Sequence, residues 1–199
     1  MVRPLSYLRA IVIVHGKSEK QMCDFIKSKL RIRLIVESDK KGEKSIQINS
    51  VMNTLNGRKF RLQANFFREF EDAVIYENNL KGKLSEDFRI FIIMDTDDCS
   101  EQEKKAFINK EMFRKHWAYS YIYPIYNTPD LECVLKNSKI KFVKEGEKCK
   151  KEYIKIFPTD KKYQTKDCIQ IDEFSKNLHL NQNTNMDEFI NYCLEISKQ

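Results

Sequence analysis

The sequence predicts an α/β layer fold: a core parallel sheet of about four strands with helices on both faces. Three observations predict it. The run Ile90-Phe91-Ile92-Ile93-Met94 is apolar throughout, with no polar alternation, as in a strand buried on both faces. Ala10 to Val14 (AIVIV) is a second such run. Segments with helical apolar spacing separate the strand candidates. The order is strand, helix, strand, helix, strand, helix, strand, helix, which is the pattern of a largely parallel sheet.

Ala10 to Val14 is the first strand and ends in His15-Gly16-Lys17-Ser18-Glu19. The leading MVRPLSYLRAIVIVHG has no small-residue cleavage site, so it reads as this strand and not as a signal peptide. Gly16 permits a tight strand-to-helix turn and Ser18 is a candidate cap. Met22, Phe25, Ile26 and Leu30 then follow helical spacing. Arg31 to Val36 reads as the next strand. Asp39 to Lys44 is a solvated turn around Gly42. Ser45 to Val51 alternates with period 2, as a strand or sheet edge does. Asn56-Gly57 marks a turn.

Gln63 to Asn79 predicts a helix with Phe66, Phe67, Phe70 and Val74 on one face, closed by Gly82. After the central strand, Gln102 to Lys115 predicts a helix that buries Ala106, Phe107, Ile108, Met112 and Phe113. Tyr119 to Tyr126 is the fourth strand, with Pro124 restricting its end. A short helix runs through Leu135. Lys139 to Lys155 is basic and weakly patterned, and Phe157 to Asp167 reads as a loop. Asp172 to Leu180 and Met186 to Ser197 are helices, the second with Met186, Phe189, Ile190, Cys193 and Leu194 inward. The expected organisation is one domain over residues 1–199, with a core at about 8–136 and a helical cover at about 139–199.

A chain of 199 residues can bury one full core. With 41% apolar residues, 13 Phe and 9 Tyr, it is too aromatic for a disordered protein. No run reaches the ~18 apolar residues of a membrane helix. The net charge of +7 fits a polyanionic partner such as nucleic acid. Six cysteines without a CxxC spacing, and only three histidines, argue against zinc. They fit free thiols in a reducing cytoplasm, which is the expected location. No GxxxxGK[ST] occurs, so the chain carries no P-loop.

The chemistry centres on FRIFIIMDTDDCS, where the apolar strand ends in Asp95, Asp97 and Asp98. Ligands of parallel sheets sit just beyond the carboxyl ends of the strands. On an extended tip, Asp95 and Asp97 point the same way. Two carboxylates so close repel unless a proton or a cation lies between them, and Mg²⁺ suits such a place. The alternative is an acidic turn that caps the next helix through Asp98 or Ser100. Two further acidic groups follow predicted strands: Glu19, and Asp130 with Glu132. Convergence of the three groups would hold one or two Mg²⁺ or Mn²⁺ ions, two of them ~4 Å apart for phosphodiester cleavage. Each residue also has an ordinary explanation. Glu19 suits the first turn of a helix, Asp130 an N-cap, Glu132 a solvated helix face, and His15 a backbone-bonded strand end.

IVIVHGKSEKQ, IFIIMDTDD and YNTPDLECVL, in that order, resemble the three motifs of a Toprim domain. The nearest types are the OLD-family (overcoming lysogenization defect) nucleases and RloB-like proteins. The resemblance spans about residues 8–136 and implies a Toprim-like, Rossmann-like layer fold. Gly16 and Glu19 match the first motif, Asp95 and Asp97 the second, Asp130 and Glu132 the third. It further implies a Mg²⁺- or Mn²⁺-dependent nuclease, acting on DNA in preference to RNA, alone or with a separate ATPase subunit, in phage or mobile-element defence. The implied metal ligands are Glu19, Asp95, Asp97, Asp130 and Glu132. The implied catalytic set is His15, Lys17, Glu19 and Asp95. Lys151, Lys155, Lys161 and Lys162 are further candidates for a lysine near the phosphate. One departure stands out: the family's first acidic residue, before the glycine, is His15 here. An imidazole can ligate a metal or act as a base, but it removes a negative charge. Two alternatives therefore stay open. One is a non-catalytic nucleic-acid or partner-binding module. The other is an aspartyl-nucleophile phosphatase of the haloacid-dehalogenase type, built on Asp95 and Asp97.

Overall fold

The computed structural model describes residues 7–76, 82–141, 143–145, 153–155 and 167–198. In chain order its strands and α-helices are β1 (Ala10–Val14), α1 (Lys17–Leu30), β2 (Leu34–Glu37), α2 (Val51–Leu55), α3 (Gln63–Glu69), β3 (Val74–Ile75), β4 (Lys83–Leu84), β5 (Arg89–Asp95), α4 (Glu101–Ile108), β6 (Ile122–Asn127), α5 (Leu131–Asn137), β7 (Val143–Glu145), β8 (Tyr153–Lys155), α6 (Asp167–His179) and α7 (Met186–Ile196).

β1, β2, β5 and β6 form one sheet in the order β2-β1-β5-β6, and every neighbouring pair is parallel. The apolar runs explain this placement. All five residues of β1 are buried, and Ile90 to Met94 of β5 are buried too. Such strands are stable only in the middle of a sheet covered on both sides. Alternation sends Ala10, Val12, Val14, Phe91 and Ile93 to one face, where α1, α5, α6 and α7 pack. Ile11, Ile13, Ile90, Ile92 and Met94 face the other side, against α2, α3 and α4. Full burial of each Val, Ile, Phe or Met side chain among these contributes about 1.5–3 kcal/mol. The result is the expected α/β layer, a four-stranded parallel sheet flanked by helices, and it is compatible with a Rossmann-like arrangement. No helix among the described residues is long and apolar enough to cross a membrane.

The strand order sets the functional rim. From β1 the chain moves outward to β2, then crosses back past β1 to β5 and on to β6. The order therefore reverses between β1 and β5. In open parallel sheets the crevice beyond the strand ends at such a reversal is where ligands bind. His15 follows β1 there, and Asp95 ends β5.

Several local expectations change. Ser45 to Val51 is not a strand: it forms a 3₁₀ turn at Ile48–Ser50 that runs into α2. Ile46 and Ile48 have the spacing of a strand. However, Ile48, Val51 and Leu55 are buried at helical spacing, and that period prevails. The helix expected over Gln63 to Asn79 ends at Glu69, and β-branched Val74 and Ile75 pair antiparallel with β4. Phe66 and Phe70 still pack together, with ring centroids 4.8 Å apart and the planes tilted by 50°. Gly82 is therefore no helix cap. A Cβ there would lie 2.4 Å from Val74 Cγ1, so glycine serves close strand approach. The helix after β5 stops at Ile108, because Lys110 turns left-handed (φ 61°) before a 3₁₀ turn at Glu111–Phe113. Gly16, not Ser18, caps α1, whereas Ser100 caps α4 as anticipated. The C-terminal region is not purely helical, since β7 and β8 pair antiparallel.

Candidate functional site

The site is built outward from His15. Its backbone continues the β1 ladder, with N–H donating to Ile93 O at 2.8 Å. Its carbonyl accepts from Ile46 N at 2.8 Å, and its ring Nδ1 bonds Ile46 O at 2.9 Å. A carbonyl oxygen only accepts, so Nδ1 carries the proton. In the neutral ring Nε2 then presents a lone pair, and this nitrogen faces Asp95 Oδ2 at 3.9 Å. A proton on Nε2, or a cation between the two atoms, would turn this approach into an attraction.

Asp95 is held from the other side. It is in register with Asn127 of β6, whose Nδ2 donates to Asp95 Oδ1 at 3.1 Å. Asn127 is fully buried, and its Oδ1 accepts from Thr184 Oγ1 at 3.0 Å. Thr96 N–H donates to the carbonyls of Asn127 (3.0 Å) and Pro129 (2.8 Å), which locks the tips of β5 and β6 together. Glu19, in the first turn of α1, is only 2% exposed, and its Oε2 accepts from Gly16 N at 3.0 Å.

The electrostatics oppose an anionic pair. Burial raises the Asp95 carboxyl well above the usual carboxylate range, the nearby Glu19 charge and the Asp97 charge add to the rise, and His15 and Asn127 pull the other way. Burial likewise raises Glu19, with Asp130 contributing, against backbone hydrogen bonds that lower it. Glu19 and Asp97 therefore act on Asp95 through space, and Asp130 acts on Glu19.

The remaining candidates divide. Asp97 is exposed, just past the strand end. Asp130 caps α5, its Oδ1 accepting from Cys133 N at 2.7 Å. Glu132 is drawn one turn along α5 to Lys136, at 2.6 Å. Lys17 opens α1 and is half-buried. Asp98 accepts from Gln47 Nε2 at 2.8 Å. Lys151, Lys161 and Lys162, and the side chain of Lys155, lie outside the described residues. Sequence reasoning missed Asn127, Ile46 and Gln47. Asn127 was detectable as a carboxamide at the end of an apolar strand; the Ile46 contact is made through its backbone and left no signal.

Buried carboxylates that repel one another suit a hard divalent cation. Among the described residues no group of three or more His, Cys, Asp or Glu is set as a ready metal cage. Mg²⁺ needs none, because it keeps several waters and takes one or two protein carboxylates together with substrate phosphate. The chain matches no family model, no curated protein and no solved structure.

Proposed function

We propose that this chain is a metal-dependent nuclease with a Toprim-like layout, cleaving phosphodiester bonds of nucleic acid at the rim between β1 and β5. One observation carries the reading: His15 Nε2 and Asp95 Oδ2 face each other at 3.9 Å beside buried Glu19, at the reversal of strand order. The net charge of +7 around an acidic rim adds to it, since an anionic polymer is drawn to such a surface.

In this reading Asp95 and Glu19 hold Mg²⁺ or Mn²⁺, with Asp97 and Asp130 adding negative charge around them. The bound ion supplies Lewis-acid stabilisation of a phosphoryl oxygen and acidifies its water. Asn127 fixes the Asp95 carboxylate. His15, held by Ile46 through Nδ1, offers Nε2 to accept a proton from the attacking water. Lys17 offers a positive charge to the phosphate. The test is cleavage of plasmid, single-stranded DNA and RNA with Mg²⁺ or Mn²⁺, comparing wild type with Asp95→Ala. Metal-dependent cleavage that Asp95→Ala abolishes supports the proposal; no cleavage of any substrate across a range of salt argues against it.

A second reading, a binding module that has lost catalysis, rests on His15 standing where the Toprim motif has an acidic residue. His15→Glu separates the two. Cleavage gained only in that variant marks a degenerate site.

A further inference from the structure

The turn after β2 is unusual in its backbone. Lys40 (φ 44°, ψ 46°) and Lys41 (φ 60°, ψ 27°) are both left-handed, and Gly42 follows at φ 88°. Left-handed backbone is costly for a residue with a Cβ, and it persists only where the surroundings dictate it. Here they do. A Cβ on Gly42 would lie 2.9 Å from Lys17 Cα and 3.4 Å from Gly16 C, so the turn sits directly on the start of α1. A few residues on, Ile46 is tied to His15 by two hydrogen bonds, and Gln47 reaches across to Asp98. The segment is thus seated against the same rim as Asp95 and Glu19.

What the turn displays is positive charge. Lys40 and Lys41 are exposed, and among the described residues neither makes an ion pair. Asp39, the acid just before them, is taken by Lys44 at 3.5 Å. Two consecutive lysines are therefore fixed outward beside a site whose own side chains are acidic. A ligand that spans both must be anionic over a length greater than one group. A nucleic-acid strand has that form: one phosphate lies at the carboxylate rim and its neighbours lie over the turn.

We propose that the Lys40–Lys41 turn is a binding surface for the sugar–phosphate backbone of nucleic acid, contacting phosphates next to the one held at the β1–β5 rim. The proposal rests on the reading of that rim as a phosphodiester site. The contacts are to backbone phosphate and carry no base preference.

The experiment measures binding of fluorescein-labelled single-stranded and duplex oligonucleotides by anisotropy, in EDTA, over a salt series. Wild type is compared with Lys40→Gln/Lys41→Gln, which keeps the side-chain stems. A charge-matched control, Lys115→Gln/Lys198→Gln, alters two exposed lysines, one between α4 and β6 and one just after α7; melting curves check that both variants fold. The turn variant is expected to bind more weakly, with a log–log salt slope shallower by about 1.8 on duplex and about 1.4 on single strands. The control is expected to keep the wild-type slope. The proposal is overturned if the turn variant keeps the wild-type affinity and slope, or if the control loses as much. It is also overturned if the turn variant loses binding to phosphatidylserine vesicles but not to oligonucleotides. The two readings fail separately. Lysine-dependent binding without cleavage under any metal supports the turn and removes the nuclease. Cleavage with an unchanged salt slope does the reverse.

Discussion

His15 Nε2 and Asp95 Oδ2 stand 3.9 Å apart at the carboxyl ends of two adjacent parallel strands, with the ring proton turned away toward Ile46. The pair is therefore an incomplete contact, and buried Glu19 adds a second carboxylate beside it.

Removing the charge at Asp95 should stabilise the metal-free protein. Asp95→Asn keeps an oxygen for Asn127 and ends the repulsion with Glu19. A gain of ~1 kcal/mol corresponds to a rise in Tm of about 2–4 °C for a chain of this size. Thermal unfolding in EDTA measures it. A lower Tm means that Asp95 is held by favourable contacts and is not opposed by its neighbours.

Stability should also fall as pH rises. The folded-state pKa values of Asp95 and Glu19 lie above their unfolded values, with burial as the largest cause. Between the unfolded carboxylate range, about 4, and the raised folded values, the folded state binds more protons than the unfolded one, so the unfolding free energy has a negative slope with pH. Urea unfolding in EDTA at a series of pH values should show wild type losing stability through this window relative to Glu19→Gln/Asp95→Asn. Parallel curves would remove the electrostatic account of the site.

Asn127→Ala should destabilise more than an ordinary surface change. It strips a hydrogen bond from Asp95 and leaves the Thr184 hydroxyl without its acceptor inside the protein. A buried group left in that state costs about 1–3 kcal/mol. Denaturant midpoints measure the loss, and an unchanged midpoint would show that the amide is not a structural link.

Gly42→Ala tests the turn that carries Lys40 and Lys41. The new Cβ meets Lys17 backbone at 2.9 Å and the residue keeps a positive φ of 88°. A penalty of about 1–3 kcal/mol is expected. Gly57 provides a comparison without positive φ.

The parallel sheet was legible because its central strands are continuous apolar runs, as Ala10 to Val14 and Ile90 to Met94 show. The rim was legible because His15 and Asp95 directly follow those runs. Where two periods competed, the reading failed. Ile46 and Ile48 suggested a strand, yet Val51 and Leu55 turned the segment into a helix. The aromatic face of Phe66 and Phe70 was evident, but not the point where β-branched Val74 and Ile75 leave the helix. Contacts made through backbone, such as Ile46 on His15, depend on three-dimensional approach and leave no trace in residue type.

The most direct measurement is a Mn²⁺ titration followed by electron paramagnetic resonance, on wild type and Asp95→Asn, without nucleic acid. The account predicts saturable Mn²⁺ binding by the wild type, competed by Mg²⁺, and weakened by about tenfold or more in Asp95→Asn. Wild-type protein that binds no Mn²⁺, or an Asp95→Asn variant that binds it equally well, would contradict a carboxylate-held metal at the β1–β5 rim.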